Sequence, residues 1–570
     1  MKVAVVGSGC AGLGATWALN EHSEHQVHLY EADTRPGGHA NTVPFKYTPK
    51  STKSPEEQPQ SVPVDTGFIV LNPRTYPNFL RFLHHADIPI VKSSMTFALT
   101  RDNGAFEWAG DTIFTLFCQP RNLLSARMWR MIWDILRFNA SARKLIVEQE
   151  RQMEGESIEA NEITIGEYLD KNGYSDGFRD DYLIPMCAAI WSTPPSTCAQ
   201  TFTARSLLRF FHNHHLLQII GKPDWLTIKG GSIEYVKRIT NALPPGALRL
   251  SEPVVSISTG CTTSPATSSE DLGSSDEAAS SGSSNGDADE RPLISDLDQS
   301  SNPSLAPTSS KIRLCTATGR IEEYDHVVLA CHSSTALEML RNGGFITPEE
   351  RSALEGVGWT KNEIVLHSDV SALPHNQNAW SAWNFVSTSI KDEKGTTTKA
   401  NSDQFALSYL MNTLQPLPLS QYGPIICTLN PTFPIAPDTI QARFEYAHPT
   451  FNNRAEQAQR AMKRIQGKRG IWYAGAWMGY GFHEDGFTHG LKAAIQLATT
   501  STDTAASTDG QGKKSVRFAE SSEGVHLPFE IRAPDRSVDR VWLADVFEVL
   551  ERARRLLSFF LFSVLFFGWS

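Results

Sequence analysis

Residues 1–42 read MKVAVVGSGCAGLGATWALNEHSEHQVHLYEADTRPGGHANT, and this stretch decides the fold. The apolar run Val3–Val6 predicts a strand, and Ala11–Leu19 predicts a helix directly behind it. Between them lies Gly7-Ser8-Gly9-Cys10-Ala11-Gly12. Glycine at 7 permits a tight turn, at 9 lets the backbone approach a pyrophosphate, and at 12 lets helix and strand pack closely. The helix N-terminus then offers free N–H groups and a positive dipole end to the phosphates. Cys10 reads as a small side chain in that loop. A second strand, QVHLYE, ends at Glu31, 22 residues past Gly9, where a carboxylate can accept a hydrogen bond from a ribose hydroxyl. Strand, glycines, helix, second strand and terminal acid agree on an α/β dinucleotide-binding start.

The residues after Glu31 separate FAD from NAD. Arg35, the pair Gly37-Gly38 and then His39 come within a few positions of the acid. A glycine pair lets backbone pass under a bulky cofactor, with Arg35 close to the diphosphate. This resembles the extended fingerprint of FAD-dependent amine oxidases and related flavoproteins, where the position after the pair is usually arginine; here it is His39. Pro63-Val64-Asp65-Thr66-Gly67-Phe68 is similar to that family's next element. The apolar run from Asp325 to Ala330, followed by Cys331-His332, predicts a buried parallel strand approaching the cofactor. Near the other end, Ile471–Ala476 leads through Gly479 and Gly481 to Asp485-Gly486 and a helix containing Gly490. This resembles a C-terminal flavin motif whose helix N-terminus faces the flavin pyrimidine and stabilises its anionic reduced form.

Residues 1–500, outside one insertion, resemble the flavin-containing amine oxidase superfamily. More narrowly they resemble predicted FAD-binding proteins found beside cyclopropane-fatty-acid synthases, and the N-terminal region of plant cyclopropane synthases. DTGFIVLNPRTYPNF, IPMCAAIWSTPP, LACHSS and GYGFHEDGFTHGLKAA carry the likeness. The resemblance implies an α/β fold: a Rossmann-like FAD-binding domain interwoven with an α+β substrate domain. It implies FAD held by Gly7, Gly9, Cys10, Ala11, Gly12, Glu31, Arg35, Gly37, Gly38, His39, Val254, Gly475, Asp485 and Gly486. The expected FAD domain is discontinuous, 1–90, 225–259, 311–345 and 465–500, with the substrate domain at 91–224 and 346–464.

Substrate chemistry is read from fewer residues. Amine oxidases of the superfamily often have aromatic side chains beside the flavin and a lysine holding water near it. Tyr480 or Phe482 can supply the wall, and Lys361 is the best candidate lysine. His483-Glu484-Asp485 suits proton transfer by an imidazole tuned by a carboxylate, with His483 as the catalytic residue. The acids equally suit capping of a helix starting near Gly486. His212, His214 and His215 lie in an aromatic helix-like stretch without metal-ligand spacing, so packing is expected and no metal. Trp129 and Trp133, at i and i+4, read as a core face. Pro194-Pro195 marks a break near the substrate channel.

Composition sets the frame. The chain has 570 residues, 40% hydrophobic and 20% charged, with a formal charge of −10. A chain-wide basic footprint for nucleic acid is absent. Residues 260–310 carry nine acids and one base, a net of −8, which leaves −2 for the rest. Their Ser-rich composition predicts a disordered acidic insertion at a hairpin tip. Eight cysteines without a CxxC pair suit reduced thiols, and the chain starts in a strand, so an intracellular, cytoplasmic location is expected. Residues 499–540 read as a solvated linker. The 541–570 segment reads as an amphipathic helix running into LLSFFLFSVLFFGW, too short for the roughly 30 Å hydrocarbon core but suited to a membrane surface.

These features predict an FAD-dependent oxidoreductase that removes hydride from an apolar, lipid-linked substrate. The alternatives are a true amine oxidase giving aldehyde, ammonia and hydrogen peroxide, and a non-catalytic flavin-stabilised membrane scaffold for a lipid-modifying enzyme partner.

Overall fold

The computed structural model describes residues 1–48, 60–153, 163–191, 194–218, 223–259, 311–391, 397–500, 524–534 and 542–567. The acidic 260–310 segment lies outside the described residues, as does most of the 499–540 stretch.

Strands β1 (Lys2–Val6), β2 (Gln26–Tyr30), β3 (Leu248–Arg249), β4 (His326–Leu329) and β5 (Ile471–Tyr473) form one sheet in the order β5-β4-β1-β2-β3. Every neighbouring pair is parallel. Covered on both faces, β1 and β4 are apolar at consecutive positions rather than alternating ones.

Six helices frame the site: α1 (Cys10–Glu21), α2 (Pro77–His85), α3 (Ala126–Met153), α4 (Ala204–Asn213), α5 (His483–Thr500) and α6 (Leu543–Phe567). Helix α1 is buried from Ala11 to Leu19, because α5 packs along it. The approach is close enough to exclude side chains. A Cβ on Gly490 would lie 2.1 Å from the Ala11 carbonyl oxygen, and one on Gly14 would lie 2.9 Å from that of Phe487. Interior helical glycines cost about 1 kcal/mol each in propensity; here close packing offsets that cost.

The second domain centres on a seven-stranded sheet. Its order is Ile440–Thr450, Gly358–His367, Ile426–Leu429, Thr397–Leu410, Trp383–Lys391, Phe97–Arg101 and Phe106–Ala109. All pairs are antiparallel except Trp383–Lys391 with Phe97–Arg101. A separate antiparallel sheet joins Val254–Thr259 to Ile312–Thr316, with Thr259 opposite Ile312 where the acidic segment departs. Asp65 ties the domains: its carboxylate accepts from Thr42 Oγ1, from Ser232 N and Oγ, and from Gln415 Nε2. Burial nevertheless pushes its pKa up to about 6.

One expectation changes at the C-terminus. The linker is not solvated throughout, because Val525, Leu527, Phe529 and Ile531 pack against the nucleotide-side core. Phe529 stacks on Trp17 at 5.8 Å, and Arg532 exchanges backbone hydrogen bonds with the Asn78 side chain. Helix α6 docks on α3, where Trp133 Nε1 donates to Glu551 Oε2 at 3.0 Å and packs against Phe547. Trp133 thus meets the expectation of a packed face, whereas Trp129, one turn earlier, stays 51% exposed. Among the described residues no helix is long and apolar enough to cross a membrane.

Candidate active site

A cavity of about 650 Å³ runs from the phosphate loop into the second domain. Gly7, Gly9, Cys10, Ala11, Glu31, Gly38, His39, Val254 and Gly475 line it, as does His483. Gly12, Arg35, Gly37, Asp485 and Gly486 do not; they shape it from behind. Gly7 adopts φ +101°, and a Cβ on Gly12 would sit 1.8 Å from the Gly7 carbonyl oxygen. Gly486 lets α5 close on α1, since a Cβ there would meet Cys10 Sγ at 2.4 Å. Cys10 itself is a half-buried thiol on the cavity wall; desolvation pushes its pKa up to about 12, too high to ionise near neutrality.

The nucleotide end fits FAD on observations of the chain itself. Helix α1 starts at Gly9 with no side-chain cap and no acid in its first turn, so its N–H groups await an anion. A Cβ on Gly9 would meet nothing within 4 Å, which leaves open the approach a pyrophosphate requires. Arg35 donates to the Gly38 carbonyl at 2.9 Å, while its buried Nη1 has no partner. Glu31 Oε2 accepts from Ser8 N and Oγ, and Oε1 from Asp33 N. A carboxylate has about four acceptor positions, so one is left for a ribose hydroxyl. Glu252, without a motif to mark it in the sequence, lines the cavity beside it and its backbone N–H donates to the Glu31 carbonyl.

The far end is aromatic and apolar. Phe482 stacks on Phe210 at 5.2 Å and lies 4.8 Å from His214. Tyr480 does not line the cavity and instead packs behind that wall, its hydroxyl accepting from Asn213 Nδ2. Trp383, Tyr409 and Tyr446 contribute from the large sheet. His214 stacks on Phe210 at 3.9 Å, and among the described residues no metal-ligating cluster of His, Cys, Asp or Glu exists.

His483, the first residue of α5, stacks on Phe68 at 3.8 Å and shares a 2.7 Å hydrogen bond with the Tyr235 hydroxyl. Burial lowers its pKa to about 3, so it is a neutral imidazole across the physiological range. Its neighbours take different roles from either expectation. Glu484 caps α2, not its own helix, accepting from Asn78 N and Nδ2, Phe79 N and Thr488 Oγ1. Burial raises its pKa to about 7 despite those donors. Asp485 Oδ2 accepts from Tyr480 N and Phe482 N and so folds the Gly479–Phe482 loop that presents the aromatic wall.

Lys361 is not at the site. It lies on the solvent side of its strand, 75% exposed and paired with Glu445 at 2.8 Å. Among the described residues lining the cavity there is no lysine or arginine. His332 of the LACHSS run and His448, which no sequence motif marks, line it instead. His332 stacks on Trp359 at 3.9 Å, and His448 lies 5.3 Å from His39 with Nδ1 held by Asn362. Burial, chiefly, drives His39 well below the usual value, lowers His332, and brings His448 to about 4. The only available signal was their position beside strand ends.

Residues 10–279 match the family model for flavin containing amine oxidoreductase. No curated protein matches the sequence. Solved structures share the fold at 12% identity. Cyclohexylamine oxidase from Brevibacterium oxydans IH-35A aligns over 88% of this chain and 99% of its own, TM-score 0.53. The CLA-producing fatty acid isomerase from P. acnes aligns over 87% and 98%, TM-score 0.51. Wild-type putrescine oxidase bound to putrescine aligns over 88% and 99%, TM-score 0.51. Fold, cavity and family match define an FAD-dependent oxidoreductase of two-domain, amine-oxidase-like architecture.

Proposed function

We propose that this oxidoreductase removes a hydride from an uncharged, apolar substrate of acyl type, with His483 as the polar residue nearest the reacting end. The lining of the far half of the cavity carries the reading. Met95, Ile190, Phe210, Leu216, Trp383 and Leu429 meet there, and the acids among the described lining residues, Glu31 and Glu252, belong to the nucleotide end. A protonated amine entering such a space loses hydration without a counter-charge, whereas an acyl chain gains from burial. Bound FAD supplies the two-electron acceptor.

The chain's own groups do the rest. The Phe210–Phe482 wall and Trp383 exclude water and flatten the space available to a chain. His39, His448 and His483 are neutral, so they can hydrogen-bond a polar head without adding charge. The Tyr235 hydroxyl fixes one nitrogen of His483, and stacking on Phe68 fixes the ring plane. The fold itself admits both amines and acyl chains, since neighbours of both kinds share it; the lining favours the acyl reading.

A second reading, amine oxidation to aldehyde, ammonia and hydrogen peroxide, is favoured by Tyr409, Tyr446 and Trp383, whose ring faces can hold an ammonium. Anaerobic mixing of the FAD-loaded protein with uncharged fatty acyl esters, phospholipid extract and primary amines separates the two. Flavin bleaching by the lipid arms is expected. Bleaching by amines alone overturns the acyl reading, and bleaching by none favours a scaffold. His483→Ala should slow bleaching with flavin content intact; an unchanged rate removes His483 from the chemistry.

A further inference from the structure

Helix α6 and the loop region before α3 converge on one face of the molecule. We propose that they form a single two-part surface that docks on an anionic lipid leaflet.

The first part is an apolar cluster outside every core. Phe114 is 84% exposed, Leu124 92%, Ile113 66% and Trp129 51%, all within one short stretch of chain. Single exposed apolar residues are ordinary, but a contiguous group marks an interaction site. The stretch is held in shape. Trp129 Nε1 donates to the Leu123 carbonyl at 2.8 Å, and its ring lies 5.3 Å from Phe117.

The second part is brought there by pairing direction. Near its start α6 meets the later part of α3, with Asp545 on Lys144 at 2.7 Å. Further along, Glu551 meets Trp133 at 3.0 Å and Arg130 at 3.6 Å. The helices are therefore antiparallel, and the rest of α6 runs toward the end of α3 that carries Trp129 and Leu124. That remainder, Leu556–Phe567, reads LLSFFLFSVLFF. Its length is about 18 Å at ~1.5 Å per residue, short of the ~30 Å core, so it can enter one leaflet without spanning.

Charge selects the occupant. Asp545, Glu548 and Glu551 on α6 are paired with Lys144, Arg552 and Arg554 respectively. Arg121 stands exposed beside the cluster, and Arg127, 48% exposed, shares the single carboxylate of Asp181 with Arg101, so both leave a positive surplus there. Cations rimming an apolar patch complement an anionic leaflet; a second copy would present the same arginines and repel.

The test uses the full-length, FAD-loaded chain in co-sedimentation with phosphatidylcholine vesicles, alone or mixed with phosphatidylserine. Binding should be stronger to the mixed vesicles and weaken with salt. Phe114→Ser with Leu124→Ser should weaken it about tenfold or more while flavin content stays constant. Termination after residue 541 should abolish it. If the double substitution leaves binding unchanged while truncation abolishes it, the two-part surface is wrong. If full-length protein ignores both vesicles, or dimerises in solution with Phe114 and Leu124 at the contact, a lipid occupant is overturned.

Discussion

At the nucleotide end of the cavity, backbone does the work. Gly7, Gly9 and Gly38 keep side chains out of the way, and α1 offers bare N–H groups. At the far end, side chains do it. Phe210, Phe482, Trp383, His448 and His483 arrive from separate helices, a loop, and strands of the other domain. The first end is specified by steric exclusion within a few dozen residues. The second depends on how distant elements register.

The strongest break in that contrast is Gly12→Val. Its side chain would overlap the Gly7 carbonyl, so loss of more than about 4 kcal/mol and no flavin-loaded folded protein is expected by circular dichroism and flavin absorbance. Gly9→Val separates folding from binding, because nothing crowds a Cβ there. The fold should survive, while FAD affinity falls about 100-fold in fluorescence titration, the equivalent of an overpacking cost of about 3 kcal/mol.

Groups around the site should also part in their pH dependence. His39, His448 and His483 are neutral in the fold, so unfolding takes up protons once pH drops below the usual 6.5. Stability falls as pH falls from there toward 4. Glu484 works in the opposite sense: the fold favours its protonated form, unfolding releases a proton, and stability falls as pH rises from about 4.5 toward 7. His448→Asn should therefore shallow the acid limb of a melting-temperature profile. Glu484→Gln, whose window overlaps that limb with the opposite sign, should steepen it, each by about 1–3 kcal/mol across its window. The smallest effect is expected of Lys361→Ala, which should leave both the melting temperature and flavin reduction by substrate unchanged.

Lys361 shows why part of the site is not legible in the sequence. The strand Gly358–His367 buries Asn362 and Ile364, so period-two alternation puts Lys361 and Glu363 on the solvent side, where they pair with Glu445 and Arg443. That alternation is visible in the sequence, but not which face meets the cavity. Glu484 is similar. Its sequence position suggests a cap on α5, yet its carboxylate is spent on α2, about 400 residues earlier in the chain.

By itself the sequence determined the dinucleotide-binding start, FAD as cofactor, and the glycines that open the phosphate loop. Those features rest on short-range sterics, where a missing Cβ or a helix N-terminus has the same meaning in any surroundings. Only the tertiary structure decided that His39, His332, His448 and His483 gather as neutral groups round one cavity, that Asp485 holds the aromatic wall, and that α6 lies back on α3. Each of these depends on desolvation and on contacts between residues hundreds of positions apart, and neither quantity exists until the chain has folded.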